Sequence, residues 1–356
     1  MLGRSGGPRS ANGIGPVGVD GQPLDTINRV GVLSGVRPRG AVSPGDSIGV
    51  ARQQAVPRPA LSLPAAIFDF SRGKQALLTV AQPALGAVLA LGGLPPWRAI
   101  AIGLPAACAA SFALYALNDL LDRKVDARSL AAGKSSVPQH DVDTTFMRHP
   151  LARGALSLRV SVAWVAGLVA VAVVGTALLN PLSLLFFAAA VATQFVYCAL
   201  RAVTPWKTVL SGVMVGFGGL AGWAAVAPPR WSALIVFVFL ACWEVGGRNI
   251  VNDLSDLDSD APVGIRTVAS VYGGAVAARA ATAVAAACLV STALLPMPPV
   301  AVVLALAFGA WSLAWPAVEL LRRPTPAQAA SYFNHGSPYP DLVLIAALVG
   351  LALSGL

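Results

Sequence analysis

Two carboxylate-rich stretches carry the spacing of a metal-dependent site. The first reads Asn118-Asp119-Leu120-Leu121-Asp122-Arg123-Lys124-Val125-Asp126, and the second runs from Glu244 through Arg248, Asn249, Asn252, Asp253, Asp256 and Asp258 to Asp260. On a helix, Tyr115, Asp119, Asp122 and Asp126 follow at steps of four, three and four and share one face. Asn249, Asp253, Asp256 and Asp260 repeat those steps. Like charges at this spacing repel, carboxylates near a helix C-terminus oppose the macrodipole, and both costs grow as water is excluded. A cation between the stripes would offset them. The donors are Asp and Asn oxygens without a nearby Cys or His, which suits Mg2+ better than zinc. Magnesium is usually shared between carboxylates and a substrate's phosphates, so the pattern points to a diphosphate. The candidate metal ligands are Asn118, Asp119, Asp122, Asp126, Asp253, Asp256 and Asp260, and the candidate catalytic residues are Asn118, Asp122, Asp256 and Arg248.

Other polar residues have two readings each. Glu244 and Arg248 stand four apart inside or just below an apolar run, where ionisable groups pair or mark a site; Arg248 either locks the helix through an ion pair or reaches phosphate. Tyr197, Arg201, Lys207 and Asn249 are candidates for holding a leaving diphosphate, although Arg201 and Lys207 also fit as basic residues of an inner loop. His140, His149 and His335 lack metal-ligand spacing and read as solvated. Gly218-Gly219 and Gly246-Gly247 read as close-packing positions on helices. No Walker-type loop, nucleophile elbow or HExxH is present.

The elements that must position these residues are membrane helices. At 56% hydrophobic and 12% charged residues, the bulk of the chain is excluded from the soluble globular class. Nine spans can be drawn, at 76–94, 100–117, 160–179, 182–200, 209–226, 234–250, 280–295, 300–318 and 342–356, with the short ones expected to extend into their flanks. Leu179-Asn180-Pro181 and Pro296-Met297-Pro298-Pro299 are the turns between neighbouring spans. Cys108, Cys198, Cys242 and Cys288 lie inside apolar runs and read as packing residues. Residues 1–70 are Gly-, Pro- and Arg-rich and read as a disordered cytoplasmic tail without a secretory signal, whose basic residues, Arg72 and Lys74 beyond it included, can touch anionic lipid. Lys and Arg concentrate in alternate loops, which places the N-terminus in the cytoplasm, the C-terminus outside and both carboxylate stripes at the cytoplasmic face. The four-span offset between the stripes suggests a duplicated four-helix unit.

These residues resemble the UbiA superfamily of intramembrane prenyltransferases. The likeness rests on Asn118-Asp119-x-x-Asp122-x-x-x-Asp126, on Asp253-x-x-Asp256-x-x-x-Asp260, on Arg148-His149-Pro150-Leu151-Ala152-Arg153-Gly154 and on Gly264-Ile265-Arg266-Thr267, and it covers residues 71–356. The resemblance implies an all-α membrane protein of nine transmembrane helices around a central cavity, with the motif loops over its cytoplasmic mouth. Three departures bear on substrate choice: a polar insert at 127–147, where members usually have a few residues; Arg148-His149-Pro150 in place of the usual Arg-Pro-Leu; and the additional Asp258 with the preceding Glu-x-x-x-Arg-Asn. The insert, bordering the first motif, is expected either to act as a mobile lid or to be a tolerated surface insertion.

By the same resemblance the chain is an Mg2+-dependent enzyme moving a prenyl group from a prenyl diphosphate to an aromatic or other small-molecule acceptor, within the lipid bilayer of the cell membrane and without a nucleic-acid partner. Relatives of this kind that cyclise the prenyl chain supply the alternative, a membrane terpene cyclase. A CDP-alcohol phosphotransferase is excluded because its Asp-Gly-x-x-Ala-Arg core is absent, and an intramembrane cation carrier would need its carboxylates near the bilayer midplane. The motifs leave acceptor, prenyl length and oligomeric state open.

Overall fold

The computed structural model describes residues 61–131, 144–260 and 264–355, within one compact unit, Pro59–Leu356. Residues 1–60, most of the 127–147 insert, His140 and the side chain of Asp260 lie outside the described residues.

All regular structure among the described residues is helical. A short helix α1 (Leu63–Phe70) precedes α2 (Gly73–Leu91), α3 (Trp97–Ala131), α4 (Leu158–Leu179), α5 (Pro181–Leu200) and α6 (Lys207–Ala224). The series continues with α7 (Trp231–Ser255), α8 (Gly274–Ala293), α9 (Pro299–Arg322) and α10 (Pro326–Leu353). The turn chemistry is local. Asn180 accepts the Leu182 amide at 2.8 Å and Pro181 starts α5, while Ser157 accepts from Val160 at the start of α4 and Thr325 from Gln328 at the start of α10.

Among the described residues, eight helices are long and apolar enough to cross a membrane. The helix missing from those eight is α6, which occupies the expected span 209–226. It starts at Lys207, carries five glycines, and is buried along more than half its length. An interior helix faces protein and needs small residues for close approach more than it needs apolar bulk. The last span is longer than the 342–356 run, because its first half, from Pro326, is polar and packed inside the protein. Gly246 shows why some of these positions admit no side chain: a Cβ there would lie 2.6 Å from the Ala285 amide nitrogen of α8. Trp97, Trp206 and Trp231 are exposed near helix starts, as interfacial anchors should be.

One boundary is corrected. Residues 63–70, assigned to the tail by composition, form α1, which buries Ala66 and Phe70 against Ala116, Leu156 and Val165. Two buried apolar side chains one turn apart, Ala66 and Phe70, seat this short helix on α3 and α4, although the flanking sequence is tail-like.

Candidate functional site

The C-terminal turns of α3 carry the first motif. The second lies where α7 ends, and α7 reaches it through a π-helical segment, Trp243–Asn249. A π turn re-aims the side chains that follow it and is frequent at functional sites. After it the helix stops: Ser255 is its last residue and Asp256 leaves helical geometry at φ −93°, ψ 8°. The second stripe is therefore not one continuous helical face. It breaks at Asp256, and Asp260 belongs to a separate short turn, Leu257–Asp260.

Both motifs line one polar cavity of about 270 Å³. Asn118, Asp122 and Asp126 face it from α3, and Glu244, Arg248, Asn249, Asn252, Asp253 and Asp256 face it from the α7 end. Tyr197, Arg201 and Lys207 close a third side, and Arg72, Arg148 and His149 a fourth. Asp119 departs from the expectation. It is buried at 4% exposure and is not among the cavity-lining residues.

Five of the motif carboxylates, Asp119, Asp122, Asp126, Asp253 and Asp256, are each matched to a basic side chain. Arg72 Nη2 lies 3.3 Å from Asp119 Oδ1, Arg201 pairs with Asp122, His149 Nδ1 lies 3.2 Å from Asp126 Oδ2, Lys207 Nζ lies 3.5 Å from Asp253 Oδ1, and Arg148 Nη2 lies 3.4 Å from Asp256 Oδ2. The positive charge that the stripes require is thus partly built into the protein. Lys207 is 2% exposed and donates to Tyr197 Oη at 3.1 Å, so it is a buried cation and not an ordinary loop residue.

Deeper in the cavity, Glu244 accepts from Ser211 Oγ at 2.6 Å on one oxygen and from Arg248 Nη1 at 3.0 Å on the other. Arg248 Nη2 donates to Gln75 Oε1 at 2.7 Å. The ion-pair reading of Glu244 and Arg248 is therefore realised, and the pair also lines the cavity. Asn118 Oδ1 accepts from Gln194 Nε2 at 3.2 Å.

Whether these donors suit a magnesium ion can be judged on two buried oxygens. Asp253 Oδ2 and Asn249 Oδ1 have no hydrogen-bond partner, and both belong to cavity-lining residues. Hard oxygen acceptors left over beside further carboxylates fit Mg2+.

Sequence reasoning missed Arg72 and His149. Both adopt left-handed backbone, at φ 45° and 55°, the only non-glycine residues to do so among those described. Such conformations cost free energy and persist where surrounding contacts over-determine them. Asp69, in α1, supplies those contacts for the segment before His149: its carboxylate accepts the backbone N–H groups of Thr145, Phe146 and Met147. Lys74 donates to Thr144 O at 3.2 Å and Arg153 to Arg148 O at 2.8 Å. The available signal was the polar run Asp69-Phe70-Ser71-Arg72-Gly73-Lys74 immediately before the first span, which composition merged with the tail.

A second cavity, of about 370 Å³, runs among α2, α3, α5 and α6 and is lined mostly by apolar side chains such as Val88, Leu104, Phe187 and Leu348. It shares Thr79, Gln82, Leu114, Gln194, Met214 and Val215 with the polar cavity. A charged chamber and an apolar one thus meet at a common wall.

The family model of the UbiA prenyltransferase family matches residues 79–338, and the chain belongs to that family. It is 31% identical over 190 residues to a digeranylgeranylglyceryl phosphate synthase of Natronomonas pharaonis, covering 53% of this chain and 62% of that protein. The chain thus spans about three fifths of that relative's length. Its fold is shared with a UbiA homologue from Aeropyrum pernix, at a TM-score of 0.62 and 19% identity over 79% of this chain and 98% of the other. It is shared also with a UbiA homologue from Archaeoglobus fulgidus bound to DMAPP and Mg2+, at a TM-score of 0.59 and 16% identity over 81% and 99%. Family and long apolar helices together make this a multi-pass membrane protein.

Proposed function

We propose that the chain is an Mg2+-dependent intramembrane prenyltransferase that moves a prenyl group from a prenyl diphosphate to a small-molecule acceptor. The observation that carries the reading is the meeting of the two cavities: the polar one offers carboxylates and cations to a diphosphate, and the apolar one offers a wall to an isoprenoid tail. The DMAPP and Mg2+ bound to the A. fulgidus homologue fit the same division.

Asn118, Asp119, Asp122, Asp126, Asp253, Asp256 and Asp260 are the residues that would hold magnesium, which supplies positive charge to the diphosphate oxygens. Arg148, Arg201 and Lys207 exchange their carboxylate partners for phosphate oxygens, with Tyr197 and Asn249 completing the cradle. The C1–O bond of the substrate breaks, the electron pair leaves with diphosphate, and an allylic cation remains beside the apolar wall. The acceptor's nucleophile bonds to C1, and its proton passes to the departing diphosphate, the base that the bond cleavage itself supplies. Glu244, engaged on both oxygens, orients Arg248 and Ser211. Gln82 supports transfer over cyclisation. Its side-chain Nε2 is buried without a hydrogen-bond partner in the wall common to both cavities, where an acceptor oxygen would satisfy it. The concentration of basic residues in alternate loops supports an orientation with this chamber at the cytoplasmic face, the N-terminus cytoplasmic and the C-terminus outside.

The test supplies purified protein with Mg2+ and a panel of prenyl diphosphates, with and without a lipid-soluble acceptor extract, and follows products by mass. Prenylated product that requires both extract and Mg2+, and stops with EDTA, is expected. A cyclic hydrocarbon or terpene alcohol accumulating over many turnovers without acceptor would replace transfer with cyclisation.

The Asp69 clamp makes a separate prediction. Asp69→Ala frees the backbone that carries Arg148 and His149, and should raise KM for the diphosphate about tenfold with a smaller change in kcat, as loss of an orienting partner does. Steady-state kinetics over a substrate range check it; a pure loss of folded protein without a change in KM would assign Asp69 to stability alone.

A further inference from the structure

We propose that His149 is a nitrogen ligand to a divalent ion at the first carboxylate motif, making it a mixed imidazole–carboxylate site that prefers a later first-row transition ion such as Fe2+, Co2+ or Zn2+ over Mg2+. The inference rests on the proposed prenyl transfer only in placing a divalent ion at this motif.

His149 is far from Asp119 and Asp126 in sequence and comes back to them after the insert. One ligand atom from each of Asp119, Asp126 and His149 lies within 4.8 Å of the others. Nδ1 of His149 is 3.2 Å from Asp126 Oδ2 and 3.9 Å from Asp119 Oδ2. Metal–ligand bonds of about 2.0–2.2 Å set neighbouring ligand atoms roughly 3 Å apart, so the shorter separation already equals an edge of a coordination polyhedron.

The partners of these atoms point the same way. Nδ1 is buried and, despite its nearness to Asp126, makes no hydrogen bond of acceptable geometry. Asp119 divides its oxygens: Oδ1 takes Arg72, and Oδ2 is the atom nearest His149. The imidazole therefore approaches two carboxylate oxygens without satisfying either as a donor, an arrangement that a shared cation completes.

The donor set then decides the ion. Carboxylate and water oxygens suit magnesium, whereas an imidazole nitrogen adds affinity for the later divalent ions in the Irving–Williams order. At the second motif, Asp253 and Asp256 have Lys207, Arg148, Asn249 and Asn252 around them and no imidazole among the described residues. The two motifs, matched in sequence, are thereby unlike as metal sites: one mixed, the other all-oxygen.

The experiment uses the full-length chain, free of any histidine tag, in nanodiscs with Mn2+ as the probe. Pulsed EPR should show nitrogen modulation from a directly bound 14N, and the pattern should change to that of 15N when the protein is labelled with 15N-histidine. That second measurement needs no variant, so it holds even where a substitution fails to fold. His149→Ala should abolish the modulation and weaken Mn2+ binding about tenfold or more, with Mg2+ binding less affected. Absence of histidine nitrogen modulation in the unaltered protein, or its persistence in His149→Ala, would overturn the proposal and leave His149 as an ion-pair partner. Mg2+-dependent diphosphate release, measured in parallel, separates the readings. Release without nitrogen modulation sinks the metal ligand alone, whereas modulation without release upholds the ligand and sinks prenyl transfer.

Discussion

Asp256→Ala should lower kcat/KM for prenyl diphosphate roughly 10²–10³-fold while the protein stays folded in the membrane. Asp256 sits where α7 ends, outside the apolar core, and its partner Arg148 holds it at 3.4 Å with about a quarter of its side chain exposed. Ion pairs of that exposure contribute about 0–1 kcal/mol, so the fold loses little. The reaction would lose more under the proposed function, because a missing carboxylate would weaken the hold on magnesium, whose positive charge would stabilise the departing diphosphate. Arg148, freed from Asp256, compensates incompletely, since one guanidinium does not replace a divalent ion. Diphosphate release at saturating and limiting Mg2+ checks the prediction, with Asp122→Ala as its counterpart on α3. Partial recovery at high Mg2+ is expected for both variants. Near-normal turnover at low Mg2+ in either would remove that residue from the metal set.

What was legible in the sequence had a strong local cause. Apolar runs bounded by Asn180-Pro181 and Pro298-Pro299 announce helices and their ends, because chain hydration and proline geometry act over neighbouring residues. The first stripe was legible because α3 stays helical through Asp126 and on to Ala131. The second was legible only in part. A π turn at Trp243–Asn249 and the break at Asp256 change the helical phase, and packing against α8 through Gly246 is invisible to a residue count. His149 and Arg72 were misread for a different reason. Each is brought to Asp119 by contacts across the fold, and a lone basic residue carries no mark of the carboxylate it will meet. The same holds for Lys207, whose position at a span start fits an inner loop, although tertiary packing buries it between Tyr197 and Asp253.

Lys207 gives the sharpest separation of structural from catalytic charge. Its side chain is nearly inaccessible, its Nζ lies 4.8 Å from the Tyr197 ring centroid, and it faces a carboxylate whose other oxygen has no hydrogen-bond partner. Lys207→Met leaves Asp253 as a buried charge without that cation, and breaking a buried pair this way costs about 3–5 kcal/mol. The variant should unfold at a lower temperature and lose about 10²-fold or more in kcat/KM, because the leaving diphosphate loses a charge-assisted donor. Stability and chemistry part in the double variant. Asp253→Asn added to Lys207→Met removes the orphaned charge, so the midpoint of thermal unfolding should return most of the way. Turnover should not return, since the double variant lacks both the cation for phosphate and a carboxylate for the ion. Thermal unfolding in detergent and diphosphate release on the same preparations make the comparison. Recovery of both stability and turnover in the double variant would mean that Lys207 serves only to neutralise Asp253, and the cation holding the diphosphate would have to be sought at Arg201 or Arg148.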